Sequence, residues 1–384
     1  MKLLYYSWDE VIENDIYETL IKLGIDVDTL KFPIKDKLND IPFTMKLSSI
    51  LDSTQYDYIF TTNYLPIISK IAYAYGIKYI SWLFDSNSLY LYSNSIFNDT
   101  NHIFTYDYCD YKMLTNLGVK KAFYMPLAVN TSKINKLIVN SDKKYKFDVS
   151  FKGNLYDNVT QYDRIKNMPE YYRGYFDSII DTQMNFYGID LASILVTDEI
   201  YAKISNLITF NLEDELFITP KEIFITFLQA KVTSIERTML LKSIADDFTL
   251  THFAATQSPS LINADFGGYA DYNTQMPLVF NSSKINLNIT LRTIKTAIPL
   301  RCMDIMGAGG FLLSNYQQEL AELFENGVDM VMYESHEDAL KKIDYYLSHE
   351  KEREEIAANG KKRIEEDLTN QKAFNKIFRA CEEK

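Results

Sequence analysis

Along the first third of the chain, short β-prone apolar runs alternate with longer stretches of helical periodicity. Runs at Lys2–Tyr6, 57–61, 78–84, 102–106 and 122–126 predict strands, with helices between them at 15–23 and Pro66–Tyr75. Gly76 suits the left-handed residue that ends the second of these helices. This alternation predicts a parallel sheet covered by helices on both faces, a Rossmann-like half. The Gly-x-Gly-x-x-Gly turn of a dinucleotide binder is missing after the first strand.

A polar stretch, 131–146, follows Pro126-Leu127-Ala128-Val129-Asn130 and reads as a linker. A second α/β half begins at Phe147-Asp148-Val149-Ser150-Phe151, and 161–241 carries mostly helical periodicity, as an insertion would. Strand patterns resume at 248–253, 285–289, 310–314 and 329–333, and the charged tail from His336 ends in a helix at 361–384. The expected organisation is an N-terminal Rossmann-like domain (1–130), a linker (131–146), a C-terminal domain with an inserted helical segment (147–360) and the final helix. Two such halves facing across a cleft would bind ligands at the carboxyl ends of their strands.

Composition narrows the function. The 384 residues carry 40 Lys+Arg against 52 Asp+Glu, net −12, which disfavours nucleic acid as a partner. Three widely spaced cysteines and four histidines exclude a disulfide framework and a zinc cluster. No run of 18 apolar residues predicts an integral membrane segment, and the N-terminal apolar stretch is too short for a signal-peptide core. A cytoplasmic protein is expected.

Against this acidic background, the 32 residues from Tyr272 to Met303 contain no Asp or Glu, where the chain average would put about four. They hold Lys284, Arg292, Lys295 and Arg301, and they run into Asp304 and then Gly307-Ala308-Gly309-Gly310. Pro299 is placed to open a helix whose free N–H groups, beside Arg301, suit a diphosphate. Asp304, one turn on, can orient Arg301 or accept from ligand hydroxyls. The glycine run serves equally as an ordinary helix C-cap, and the residues alone leave both readings open.

Other candidates divide the same way. Gly153-Asn154 follows the first strand of the second half, where phosphates can approach the backbone or the chain can simply turn. Arg237, beside Glu236, reads as an ion pair or as a diphosphate ligand. Asp85 ends a strand and either caps a helix or serves as a proton acceptor and ligand-orienting carboxylate. Asn63 and Tyr64 end another, with Tyr64 able to stack on a ligand ring. His102 reads as structural, and Asp26-Val27-Asp28, a spacing that metal sites also use, as a strand edge.

In several runs the chain resembles the CgeB-type (spore-maturation-like) glycosyltransferases of GT-B fold. These are Ser283-Lys284-Ile285-Asn286-Leu287-Asn288-Ile289-Thr290-Leu291-Arg292, Ile298-Pro299-Leu300-Arg301, Asp304-Ile305-Met306-Gly307 and Gly309-Gly310-Phe311-Leu312-Leu313-Ser314-Asn315-Tyr316. Similar runs occur at Gly153-Asn154-Leu155-Tyr156, Ile235-Glu236-Arg237, Thr62-Asn63-Tyr64-Leu65-Pro66 and Ser81-Trp82-Leu83-Phe84-Asp85. The resemblance implies a nucleoside diphosphate sugar donor, a UDP-sugar foremost, on the C-terminal domain at Gly153, Asn154, Arg237, Asn288, Arg292, Thr296, Pro299, Gly309 and Gly310. It implies catalytic roles for Asp304, Arg301 and Asp85, and an acceptor, protein or glycan, near Asn63 and Tyr64. It implies transfer of a hexose or N-acetylhexosamine, with neither a cofactor nor an essential metal. In many retaining GT-B enzymes a Glu-x7-Glu pattern borders the donor; Asp304 matches its second acid, but Thr296 stands at the first. That departure also admits a non-catalytic nucleotide-sugar-binding or partner-binding protein.

Overall fold

The computed structural model describes residues 1–86, 88–139, 145–210 and 212–382, and the chain divides into two units. The first comprises 1–130, 212–218 and 368–384, the second 131–211 and 219–367. No helix among the described residues is long and apolar enough to cross a membrane.

The first unit holds a six-stranded parallel sheet of order β2-β1-β3-β4-β5-β6. Its strands are β1 (Lys2–Tyr6), β2 (Asp26–Leu30), β3 (Tyr58–Thr62), β4 (Lys78–Trp82), β5 (Asn101–Thr105) and β6 (Ala122–Tyr124). Central β3 and β5 are buried along their whole length, which is why they read as continuous apolar-rich runs. Gly76, at φ 67°, closes the helix Pro66–Tyr75 as expected. Asp26 and Asp28 lie on edge strand β2 beside the Lys2 ammonium, at 3.5 and 3.1 Å, and Asp28 also accepts from the Tyr56 hydroxyl at 2.7 Å.

Two distant pieces complete this unit. The expected single helix at 361–384 is instead two, Glu350–Asp367 and Asn370–Glu382, and only the first counts with the second unit. The chain turns back where Val129 N–H donates to Leu368 and Asn370 N–H to Val129, both at 3.0 Å. Phe374 then packs its ring against Phe60 and Trp82, with centroids 5.4 and 5.7 Å away. The 212–218 segment joins through Phe217 N–H to the Tyr92 carbonyl at 2.8 Å and an ion pair between Glu215 and Lys70.

His102 is structural in this sheet, almost wholly buried and stacked on Phe123. Burial, reinforced by the Lys121 charge, lowers its pKa from 6.5 to about 4. The unfolded chain therefore binds this proton first, so the contribution is intact above pH 6.5 and is lost as pH falls towards 4. Between pH 7.5 and 5.5, urea titrations should show wild type losing about 1 kcal/mol more stability than His102→Phe. An equal loss in both proteins would contradict it.

The second sheet runs β12-β11-β10-β7-β8-β9, all parallel. Its strands are β7 (Phe147–Lys152), β8 (Leu250–Phe253), β9 (Asp265–Gly268), β10 (Ser283–Asn288), β11 (Leu312–Asn315) and β12 (Val331–Tyr333). β9 has no counterpart in the sequence reading: it is a short, largely exposed edge strand with two glycines, so it carries no alternation to detect. Of the expected linker, 131–139 forms the helix Thr131–Val139, while 140–144 lie outside the described residues.

The helical segment after β7 includes Glu170–Gln183, Leu191–Leu195, Asp198–Ala202 and the 28-residue helix Pro220–Asp247. A full capping box between Thr219 and Glu222 starts the last of these, with Pro220 in its first turn. Its first half buries Phe224 and Leu228 with Phe176 and Ile180 in a core of the insertion; its second half buries Leu240, Leu241 and Ile244 in the core of the sheet. One rigid helix thus anchors the insertion and sets Arg237 where the two cores meet.

Candidate functional site

In chain order the second sheet is 6-5-4-1-2-3, and its topological switch lies between β7 and β10. Crossovers leave the sheet in opposite directions there, which opens a crevice at the carboxyl ends of the two strands. Three cations converge on it. Lys152 is the last residue of β7, Arg237 comes from the helix Pro220–Asp247, and Arg301 from the first turn of the helix Leu300–Gly307. Both guanidinium groups lie over the Phe151 ring, at 5.5 and 5.6 Å from its centroid.

Protein groups hold these arginines in place without neutralising them. Arg237, 2% exposed, donates to the Ile289 carbonyl at 2.5 and 3.2 Å and to the Asn154 carbonyl at 2.6 Å. Arg301 donates to Asn288 Oδ1 at 3.2 Å, and the buried Asn288 amide is fixed in turn by Thr290 and Ser314. No carboxylate lies within ion-pairing distance of either guanidinium among the described residues. Burial disfavours charge on both, and the Arg301 charge further disfavours it on Arg237. Burial and then Arg301 lower the Lys152 pKa as well. Arginine remains protonated in proteins, so such a cluster is stabilised by binding an anion. Asp304, buried on the same helix, accepts from the Tyr272 hydroxyl at 3.3 Å and favours charge on Arg301 and Lys152.

Several residues proposed for the donor do other work here. Arg292 forms a two-pronged ion pair with buried Glu236, at 2.8 and 3.0 Å, and donates to the Phe186 carbonyl. The Glu236 partner is therefore Arg292, while Arg237 bonds to backbone carbonyls and to no carboxylate among the described residues. Lys284 pairs with Asp148 at 2.7 Å, so the acid-free stretch contributes less free charge than its +4 suggests. Gly309, at φ 69°, and Gly310 donate to Met306 and Ile305 at 2.8 and 2.9 Å, the pairing that ends a helix with a left-handed residue. Their N–H groups are consumed, and a Cβ on Gly310 would come within 2.7 Å of the Phe280 carbonyl oxygen.

Gly153 N–H is likewise taken, by the Phe253 carbonyl at 3.0 Å. A Cβ there would meet the Arg301 guanidinium at 3.0 Å, so the glycine makes room for Arg301. Asn154 contributes through its carbonyl to Arg237. Pro299 is the N-cap residue, with Leu300 opening the helix and no side chain capping it. The Thr296 hydroxyl donates to Glu319 Oε1 at 2.7 Å, and Glu319 N–H returns to the Thr296 carbonyl at 3.0 Å. A buried carboxylate therefore does lie at this position, brought from the helix Gln318–Leu323. Sequence reading passed over it because it comes from another element, and it passed over Lys152 although a lysine closing a buried strand just before Gly153-Asn154 was visible.

The first unit has a cavity of about 690 Å³ at the carboxyl ends of β1 to β4, where its own strand order reverses between β1 and β3. Asn63 (φ 64°) sits left-handed directly after β3; its Oδ1 accepts from the N–H groups of Phe84 and Asp85, and its Nδ2 donates to the Asp85 carboxylate at 2.7 Å. Asn63 and Asp85 are thus brought together at the cavity, a pairing that the sequence reading, which set Asn63 beside Tyr64 and Asp85 beside Asp304, did not foresee. Tyr64 is not available for stacking: it is 1% exposed, with its hydroxyl against Ser95 at 2.8 Å. The open aromatic face is that of Trp8, 49% exposed and missed in the sequence because it follows β1 with no motif around it.

A glycosyl transferase-like family model matches residues 237–379. No curated protein matches the sequence. Among solved structures, sucrose-phosphate synthase from Thermosynechococcus elongatus is similar at 8% identity, with 99% of each chain covered and a TM-score of 0.58. Anabaena HepE, in complex with UDP and glucose, is similar at 11% identity, again over 99% of each chain, with a TM-score of 0.54. A glycosyltransferase from Rickettsia africae follows at 10% identity, covering 100% of this chain and 99% of its own, at 0.50. These likenesses show the fold: two Rossmann-like units, each with a six-stranded parallel sheet and flanking helices, the GT-B architecture.

Proposed function

We propose that this protein is a glycosyltransferase of the CgeB-type kind, acting in the cytoplasm. It moves a hexose or N-acetylhexosamine from a nucleoside diphosphate sugar, a UDP-sugar foremost, to a bacterial surface-associated protein or glycan. The carrying observation is the cluster of Lys152, Arg237 and Arg301 at the switch point of the second sheet, with no carboxylate among the described residues paired to either arginine. HepE, which shares the fold, holds UDP and glucose, in keeping with a uridine nucleotide as donor.

The chemistry follows from charge. As the bond from the anomeric carbon to the diphosphate oxygen breaks, its electron pair stays on the diphosphate, and fixed cations there stabilise the transition state more than the ground state. Arg237 and Arg301 are pre-oriented by carbonyls and by Asn288, so they need no reorganisation and stand in for a metal ion in this role. The acceptor oxygen forms the new bond to the anomeric carbon and gives its proton to a general base; the carboxylate proposed for that role is Asp85 of the first unit, which Asn63 positions. Asp304 tempers the cation cluster and accepts from donor hydroxyls.

The test is a screen of UDP-, GDP-, ADP- and dTDP-sugars by thermal unfolding, with mass spectrometry for released nucleotide. A donor at 100 times its Kd adds about 2.7 kcal/mol, a rise of about 5–10 °C for a unit of this size. No shift and no hydrolysis with any donor would reject the proposal. Donor binding without turnover across saccharide and peptide acceptors would point to a nucleotide-sugar-binding protein instead.

A further inference from the structure

The cavity of the first unit has the opposite character from the cation cluster of the second. Its charges balance, Asp9 and Asp85 against Lys31 and Lys37. Lys31 is held by Asp9 at 2.9 Å and Glu13 at 2.8 Å, and Lys37 lies over the Tyr90 ring at 5.0 Å. Lys37 is the lining cation without a carboxylate partner among the described residues, and no arginine lines the cavity there. What it offers is a rigid aromatic face beside a carboxylate.

Trp8 is tied at both ends. Its indole N–H donates to Thr62 Oγ1 at 3.2 Å, and its backbone N–H donates to Glu10 at 3.0 Å. Glu10, 8% exposed, also accepts from the hydroxyls of Tyr5, Ser7 and Thr62, so one buried carboxylate fixes the turn after β1 to the end of β3. Asp9, at φ 62°, completes the turn. A tryptophan held this firmly, yet half open to solvent, leaves a large apolar face unburied where a ligand site is expected. Across the same cavity, one Asp85 oxygen is engaged by Asn63 and the other has no partner among the described residues.

We infer that this cavity binds the acceptor as a neutral saccharide, one pyranose ring lying on Trp8 and a hydroxyl pair on Asp85 and Asn63. This rests on the glycosyltransferase reading and selects, within it, glycan over protein or lipid acceptors. A pyranose has an apolar C–H face and a polar rim, which is the combination the cavity supplies; a lipid phosphate would have Lys37 alone as a free counter-charge while facing the carboxylates of Asp9 and Asp85.

The chain has two tryptophans, and Trp82 is fully buried, so acrylamide-quenchable emission reports Trp8. Full-length protein is titrated with methyl glycosides of glucose, galactose, mannose and N-acetylglucosamine and with their disaccharides. At least one is expected to protect Trp8 from quenching, saturably. Binding followed by saturation-transfer NMR should weaken about tenfold in Trp8→Ala and in Asp85→Asn. Trp8→Phe keeps a ring and should stay within about threefold of wild type, which separates loss of stacking from loss of fold. Protection by geranyl phosphate, phosphatidylglycerol vesicles or a serine-rich peptide, with none by saccharides, overturns the inference. If donors bind and are hydrolysed while no saccharide protects Trp8, this inference falls and the donor reading stands; protection without any donor binding does the converse.

Discussion

Arg301→Ala is expected to lower kcat/KM for sugar transfer by about 10²–10³-fold, the usual cost of removing one pre-organised group that meets developing charge. The apo protein should not lose stability in proportion. Among the described residues Arg301 makes a single hydrogen bond, to Asn288, and its charge repels Arg237, so its removal relieves a strain as well as breaking a contact. Melting of the apo variant should stay close to wild type while the donor-induced rise disappears. Arg301→Lys should recover part of the rate, since it restores charge but not the guanidinium fork. Donor affinity and kcat/KM within threefold of wild type in the alanine variant would remove Arg301 from the reaction.

Arg292→Ala should behave in the opposite way. It strands the Glu236 carboxylate, 7% exposed in its side chain, with the Tyr187 hydroxyl as its remaining partner among the described residues. Breaking a buried pair from one side costs about 3–5 kcal/mol, or on the order of 10 °C in Tm for a unit of this size. The double variant Arg292→Met with Glu236→Gln should regain most of that loss, because no unpaired charge stays buried. Donor affinity, measured at a temperature where the single variant is folded, should be nearly unchanged. A stable Arg292→Ala protein that no longer binds donor would return Arg292 to the phosphate site.

The contrast between these arginines marks what the sequence could reveal. Periodicity located most strands to within two residues, and Gly76 behaved as its position suggested, because local chemistry decides both. The charge anomaly at 272–303 pointed to Arg301 and Arg292 alike and could not separate the two. That distinction depends on Glu236, 56 residues from Arg292 and on the helix Pro220–Asp247, and no spacing rule encodes it. Glycines were over-read for a related reason. Gly153, Gly309 and Gly310 all carry conformational or packing constraints, but every one of their N–H groups is engaged within the fold. Tyr64 and Trp8 exchanged roles because burial of an aromatic is a tertiary property: the tyrosine after β3 turns into the core, and the tryptophan after β1 stays out.

The return of the helix Asn370–Glu382 to the first unit sets an order on synthesis. When residue 130 leaves the ribosome, the sheet of that unit is complete in strands, but the faces of Phe60 and Trp82 that Phe374 covers are bare. At ~5–20 residues per second, the helix that covers them follows only after about 10–50 s. The second unit, whose residues all lie between, finishes first. The unit begun earliest is therefore closed last, and for that interval its exposed aromatics are a natural target for a chaperone.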